Sequence, residues 1–115
     1  MGSWGYGPLD NDGAADLRDN LYEHIYKVVR KNLTSEFPDE RRAAAFFLIR
    51  FCSLPDFNSF VSSYDEEQGL PILNKARDVL LGLLADTEWL QNWKQSDVAT
   101  EYLKQELASI MALSF

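Results

Sequence analysis

Cysteine is almost missing from this 115-residue chain: Cys52 stands alone, so an intrachain disulfide is impossible and a stapled secreted scaffold is excluded. Histidine is as scarce. His24 is the single one, and with one Cys it cannot supply the usual zinc ligand set; a Ser-His-Asp triad or Cys-His dyad would have to use it or do without. Long hydrophobic runs are lacking too. Even Val79–Ala85 is short and contains Gly82, far below the roughly 18 residues that suggest a membrane span. The opening Met-Gly-Ser-Trp-Gly-Tyr has neither the basic n-region nor the apolar h-region of a signal peptide, so a cytoplasmic, reducing setting is expected.

Basic residues are few, 11 against 18 acids, for a net charge of −7. Residues 1–26 carry five acids and one base, residues 27–50 six bases and three acids, and residues 51–115 ten acids and four bases, so the segments sum to −4, +3 and −6. A nucleic-acid binder needs a basic face to displace counterions, and only Lys27, Arg30, Lys31, Arg41, Arg42 and Arg50 could supply one. Nucleic acid is therefore not an expected partner. An acidic surface suits steering toward a basic protein.

What is present is the material of one globular domain. Apolar residues make up 46% and charged residues 25%, close to the averages for soluble domains, and the length leaves no room for a second unit. Gly2, Gly5, Gly7 and Pro8 mark residues 1–11 as an irregular lead-in. Asn11 or Asp12 then caps a helix expected from about Gly13 to Leu33, with Leu17, Leu21, Ile25, Val28 and Val29 recurring at helical spacing as its core face. Pro38 opens a second helix to about Leu54, and its run Ala43-Ala44-Ala45-Phe46-Phe47-Leu48-Ile49 predicts a central element with neighbours on two sides.

A shorter helix is expected to carry Phe57, Phe60, Val61 and Tyr64, followed by a solvated loop over residues 65–69. From Pro71 the face Ile72, Leu73, Ala76, Val79, Leu80, Leu83 and Leu84 predicts a further helix ending near Ala85. Asp86 or Thr87 caps a short helix bearing Trp89, Leu90 and Trp93; Ser96 and Asp97 start the last one, whose expected face is Val98, Tyr102, Leu103, Leu107, Ile110 and Met111. The fold class is all-α, a compact bundle of four main helices and two short ones.

The least ordinary segment is Trp4-Gly5-Tyr6-Gly7-Pro8-Leu9-Asp10-Asn11-Asp12-Gly13-Ala14-Ala15-Asp16. Through Trp4, Gly5, Gly7, Leu9, Asn11, Asp12, Ala14 and Asp16 it resembles the opening of a bacterial family of uncharacterised function, whose members begin Trp-Gly-x-Gly and continue to Asn-Asp-x-Ala. Leu9 stands where Phe is commoner in that family, and Leu17 replaces the aromatic that often follows. The resemblance implies bacterial kinship and supplies no catalytic residues. Physically, the glycines allow a tight turn that lays Trp4 and Tyr6 across the bundle, while Asn11 and Asp12 cap the first helix. The competing reading is a carboxylate cluster of Asp10, Asp12 and Asp16 that holds a hard cation or works as an acid/base pair.

Beside these, His24 reads as a boundary residue, Cys52 as a small core residue and Leu80–Leu84 as core packing. Trp89 and Trp93, four apart, read as an aromatic anchor for a partner if the bundle leaves them uncovered. No cofactor, metal site or catalytic set is expected, and the leading expectation is a non-catalytic, acidic protein-interaction module in the manner of an immunity or antitoxin protein. Its partner is another protein or a second copy in a homodimer. The alternative is a small metal-dependent or acid/base hydrolase built on the carboxylate-rich N-terminal turn.

Overall fold

A computed structural model describes residues 12–68 and 71–113, and the described residues form six helices with no strand among them. They are α1 (Asp12–Leu33), α2 (Pro38–Cys52), α3 (Pro55–Gln68), α4 (Ile72–Ala85), α5 (Thr87–Gln91) and α6 (Ser96–Ala112). The all-α expectation holds, with helix bounds close to those read from the pattern.

α2 is the hub, packed against α1, α3, α4 and α6. Its inner face explains why: Ala44 and Ala45 are buried beside Leu48 and Cys52, and two small side chains let neighbouring backbones approach closely. The helix begins on an extended Phe37 (φ −92°, ψ 118°) with Pro38 in its first turn, where a missing N–H costs nothing. Ser35 stitches the preceding turn. Its hydroxyl lies 2.7 Å from Glu40 Oε2 and accepts the Phe37 N–H at 3.1 Å, and its carbonyl accepts from Arg41 at 2.8 Å. At the other end the chain bends by 116° into α3.

Phe57 and Val61 of α3, Ile72, Ala76, Leu80 and Leu83 of α4, and Leu103 and Ile110 of α6 complete the interior around Tyr26, Val29 and Leu33 of α1. A fully buried large apolar side chain of this kind contributes about 1.5–3 kcal/mol. Edge-on contacts reinforce the α1–α3 seam, with Tyr22 on Phe57 at 5.1 Å and Tyr26 on Tyr64 at 4.6 Å between ring centroids.

Four expectations are corrected. The core face of α1 is Tyr22, Tyr26, Val29 and Leu33 with Ile25 at its edge, whereas Leu17, Leu21 and Val28 lie exposed. Two apolar stripes share this helix, and the one carrying two tyrosines buries more area and reaches aromatic partners on α3. The stretch expected as a solvated loop belongs to α3 through Gln68, and its Asp65 is buried. On α6, Leu103 and Ile110 are buried and Leu107 packs on the core as expected, but Val98, Tyr102 and Met111 are exposed and Ala99 is buried in addition, so the face is rotated from the one expected. His24, expected at the boundary, is exposed, and Cys52 is buried as expected.

Candidate functional site

Where α2, α5 and α6 meet, the side chains leave an open groove of about 560 Å³. Its walls are mainly apolar: Ala43, Phe46, Phe47 and Ile49 from α2, Tyr102 from α6, and Trp93 from the turn after α5. Phe46 and Phe47 are 41% and 51% exposed, and Tyr102 is 58% exposed, so the surface is one the bundle does not cover. Adjacent helical positions point about 100° apart, and both phenylalanines cannot face one neighbour. They meet edge-on instead, at 5.8 Å, with the Arg50 guanidinium 5.6 Å from the Phe46 ring.

Arg42 organises the rim. It forms a two-pronged bond to Glu106, Nε to Oε1 at 3.2 Å and Nη2 to Oε2 at 2.9 Å, which ties α2 to α6. Its guanidinium also lies 5.4 Å from the Trp93 ring and 5.9 Å from Trp89. The two indoles contact edge-on at 5.7 Å. Trp89 donates its Nε1–H to Asp39 at 3.1 Å, and Asp86 caps α5 by accepting the Trp89 N–H at 3.1 Å. The charges of Arg42 and Glu106 therefore cancel within the protein, and Asp39 remains as an exposed acid at the groove's edge.

The structure thus brings the two expected anchor residues together but gives them different positions. Trp89 is buried at 8% exposure and buttresses the site, whereas Trp93 is 42% exposed and lines it. α5 ends at Gln91, so Trp93 reaches the groove from a turn and not from the helix expected to carry it. Of the N-terminal motif, Trp4, Gly5, Gly7 and Asn11, like Asp10, lie outside the described residues; Asp12 opens α1, and Asp16 is exposed one turn further along it. Among the described residues no group of three His, Cys, Asp or Glu side chains is placed to hold a metal ion.

A second polar feature lies inside the bundle. Asp65 accepts the Tyr26 hydroxyl proton on one oxygen and the Ile72 N–H on the other at 3.0 Å, so one carboxylate joins α1 to α3 and caps α4. Burial raises its pKa above the ordinary Asp value, and the two donors hold back part of that rise. Burial also raises the Tyr26 hydroxyl, with its bond to Asp65 adding to the shift, and pushes the Cys52 thiol to about 12. A perturbed carboxyl in a cleft would be a catalytic candidate; here both oxygens are occupied by structural donors and the residue does not line the groove. The sequence pattern missed Asp65 because an acid followed by two more acids reads as solvated surface.

Comparison with protein-family models, with curated proteins and with solved structures yields no match. The groove is accordingly read from its own chemistry.

Proposed function

We propose that the chain is a non-catalytic protein-interaction module whose α2–α5–α6 groove receives an amphipathic helix from a basic partner protein. The observation that carries this reading is the cluster of exposed aromatics, Phe46, Phe47, Trp93 and Tyr102, around an apolar groove whose one internal cation is already paired. Asp39 to Ile49 spans about 15 Å of helix, nearly three turns, enough to accept side chains at positions i, i+3 or i+4, and i+7 of a docked helix. Aromatics of this kind are enriched among the residues that dominate binding energy. The net charge of −7, with Asp39 exposed at the rim, favours a cationic partner. A small acidic protein that neutralises a basic one, as immunity and antitoxin proteins do, is the form of this reading we favour.

Affinity capture from the source cells with the wild-type chain and with Phe47→Asp tests it, followed by calorimetric titration of the captured protein against both. The reading expects a basic protein that binds the wild type, loses affinity at least tenfold with Phe47→Asp, and weakens as salt rises. Equal binding to both chains, or no partner retained at low salt, removes it.

A further inference from the structure

α2 buries Ala44, Ala45, Leu48 and Cys52, and its opposite side stays uncovered. At about 100° per residue, Ala43, Phe46 and Phe47 centre on a direction roughly 160° from the buried side, and all three are exposed. The same face carries one charge at each end. Asp39 in the first turn lies about 35° from the centre of the face and Arg50 in the last turn about 15°, and both are exposed. Some 16 Å of helix separates them.

Each of these charges is held on the face but has no ion pair. Asp39 Oδ1 accepts the Trp89 Nε1–H at 3.1 Å, and the Arg50 guanidinium lies 5.6 Å from the Phe46 ring centroid. Among the described residues neither Asp39 nor Arg50 enters a salt bridge. The order of the charges along α2 identifies what fits. When two copies of α2 lie antiparallel about a two-fold axis midway between Ala44 and Ala45, each residue faces the one equally far from the midpoint on the other copy. Asp39 then lies opposite the partner's Arg50 and Arg50 opposite the partner's Asp39, so one contact makes two ion pairs. Ala43 lies opposite the partner's Phe46, a methyl group against a ring, and the two Phe46 side chains come together within one turn of the axis. A parallel pair would set acid against acid and base against base.

We infer that the exposed face of α2 is the seam of an antiparallel homodimer, sealed by Ala43, Phe46 and Phe47 and held in register by Asp39 against the partner's Arg50. The dimer is read from α2 alone. What it does to the groove rests on the function proposed above: a docked partner helix needs the same Phe46, Phe47 and Asp39, so the two occupants exclude each other. Two copies of net charge −7 repel at long range and the contact spans about three turns, so the association is weak and concentration-dependent.

Sedimentation velocity of the full chain from about 1 µM to about 1 mM at physiological salt tests the inference. The wild type is expected to show a monomer–dimer equilibrium. Arg50→Asp sets acid against acid at both pairs and Asp39→Arg sets base against base, and each is expected to raise the dissociation constant at least about tenfold. An equimolar mixture of the two variants recreates both pairs and is expected to associate like the wild type. Circular dichroism melts check that each variant folds; should Asp39→Arg fail for want of an acceptor for Trp89, the loss expected of Arg50→Asp still decides. A wild-type chain that stays monomeric over the whole range overturns the inference. So does an Arg50→Asp chain that associates like wild type, or a mixture of folded variants that stays monomeric. A monomeric chain that captures a basic protein sinks the dimer and leaves the proposed function standing, whereas a dimer that captures none does the reverse.

Discussion

Removing the Tyr26 hydroxyl is the most direct way to weigh the buried carboxylate. Tyr26→Phe keeps the ring against Tyr64 and the core, at 4.6 Å, and deletes one of the two donors to Asp65. A hydrogen bond to a charged acceptor contributes about 1.5–3 kcal/mol, so the variant should lose about 2 kcal/mol at neutral pH. Asp65→Ala strips the acceptor from both Tyr26 and the Ile72 N–H, each then buried, and should cost about 3–4 kcal/mol. The double variant shares the Tyr26 loss, so the cycle should return a coupling of about 1.5 kcal/mol or more in urea unfolding at pH 7. A coupling below about 0.5 kcal/mol would refute the claim that this pair joins α1 to α3. The pH dependence has a definite sign. Because burial raises the Asp65 carboxyl in the folded chain, the folded state still binds a proton where the unfolded state has released it, and stability from this group falls as pH rises. Relative to Asp65→Asn, the wild type should therefore lose stability as pH climbs from about 3.8 through the raised folded-state value, and run parallel to it above that.

Other perturbations are as specific. Arg42→Ala leaves Glu106 half-buried without its guanidinium and removes the cation from both indoles, for a cost of about 2 kcal/mol and a fall of roughly 8 °C in melting temperature; Arg42→Lys should recover only part of it. Cys52, buried and with its thiol at about 12, should react with a disulfide reagent at pH 8 only through unfolding, so that its labelling rate rises by at least about a hundredfold in denaturing urea. Gly82 lies within α4 with no atom within 4 Å of where a Cβ would sit, and Gly82→Ala should stabilise the chain by about 0.5–1 kcal/mol in the same urea titration.

Much of the architecture was open to reading along the chain, because proline and capping residues act locally. Pro38 and Asp86 sit where they start helices in the structure, and α4 follows its leucines almost residue by residue. What periodicity could not settle was rotation. α1 carries two apolar stripes, and the choice between them was made by Phe57 and Tyr64, more than thirty positions away. The anchor tryptophans were visible as types four apart, but their inequality was not: Trp89 is drawn inward by Asp39, fifty positions earlier, and Trp93 stays at the rim. Arg42 and Glu106, separated by 64 positions, leave no local trace of their pairing. Phe46 and Phe47 gave a usable signal, since adjacent helical residues diverge by about 100° and one of the pair had to find another neighbour or water.

The placement of α2 at the hub has a consequence for how the chain is made. Its alanine face is closed partly by α4 and α6, and α6 follows α1 to α4 along the chain, so it leaves the ribosome after them. Until Leu103 and Ile110 arrive, a nascent chain holding α1 to α4 complete still exposes part of its future interior. The period of greatest risk for sticking to other chains thus lasts until α6 has emerged, and a stop before Ser96 should yield an insoluble fragment, not a smaller folded protein.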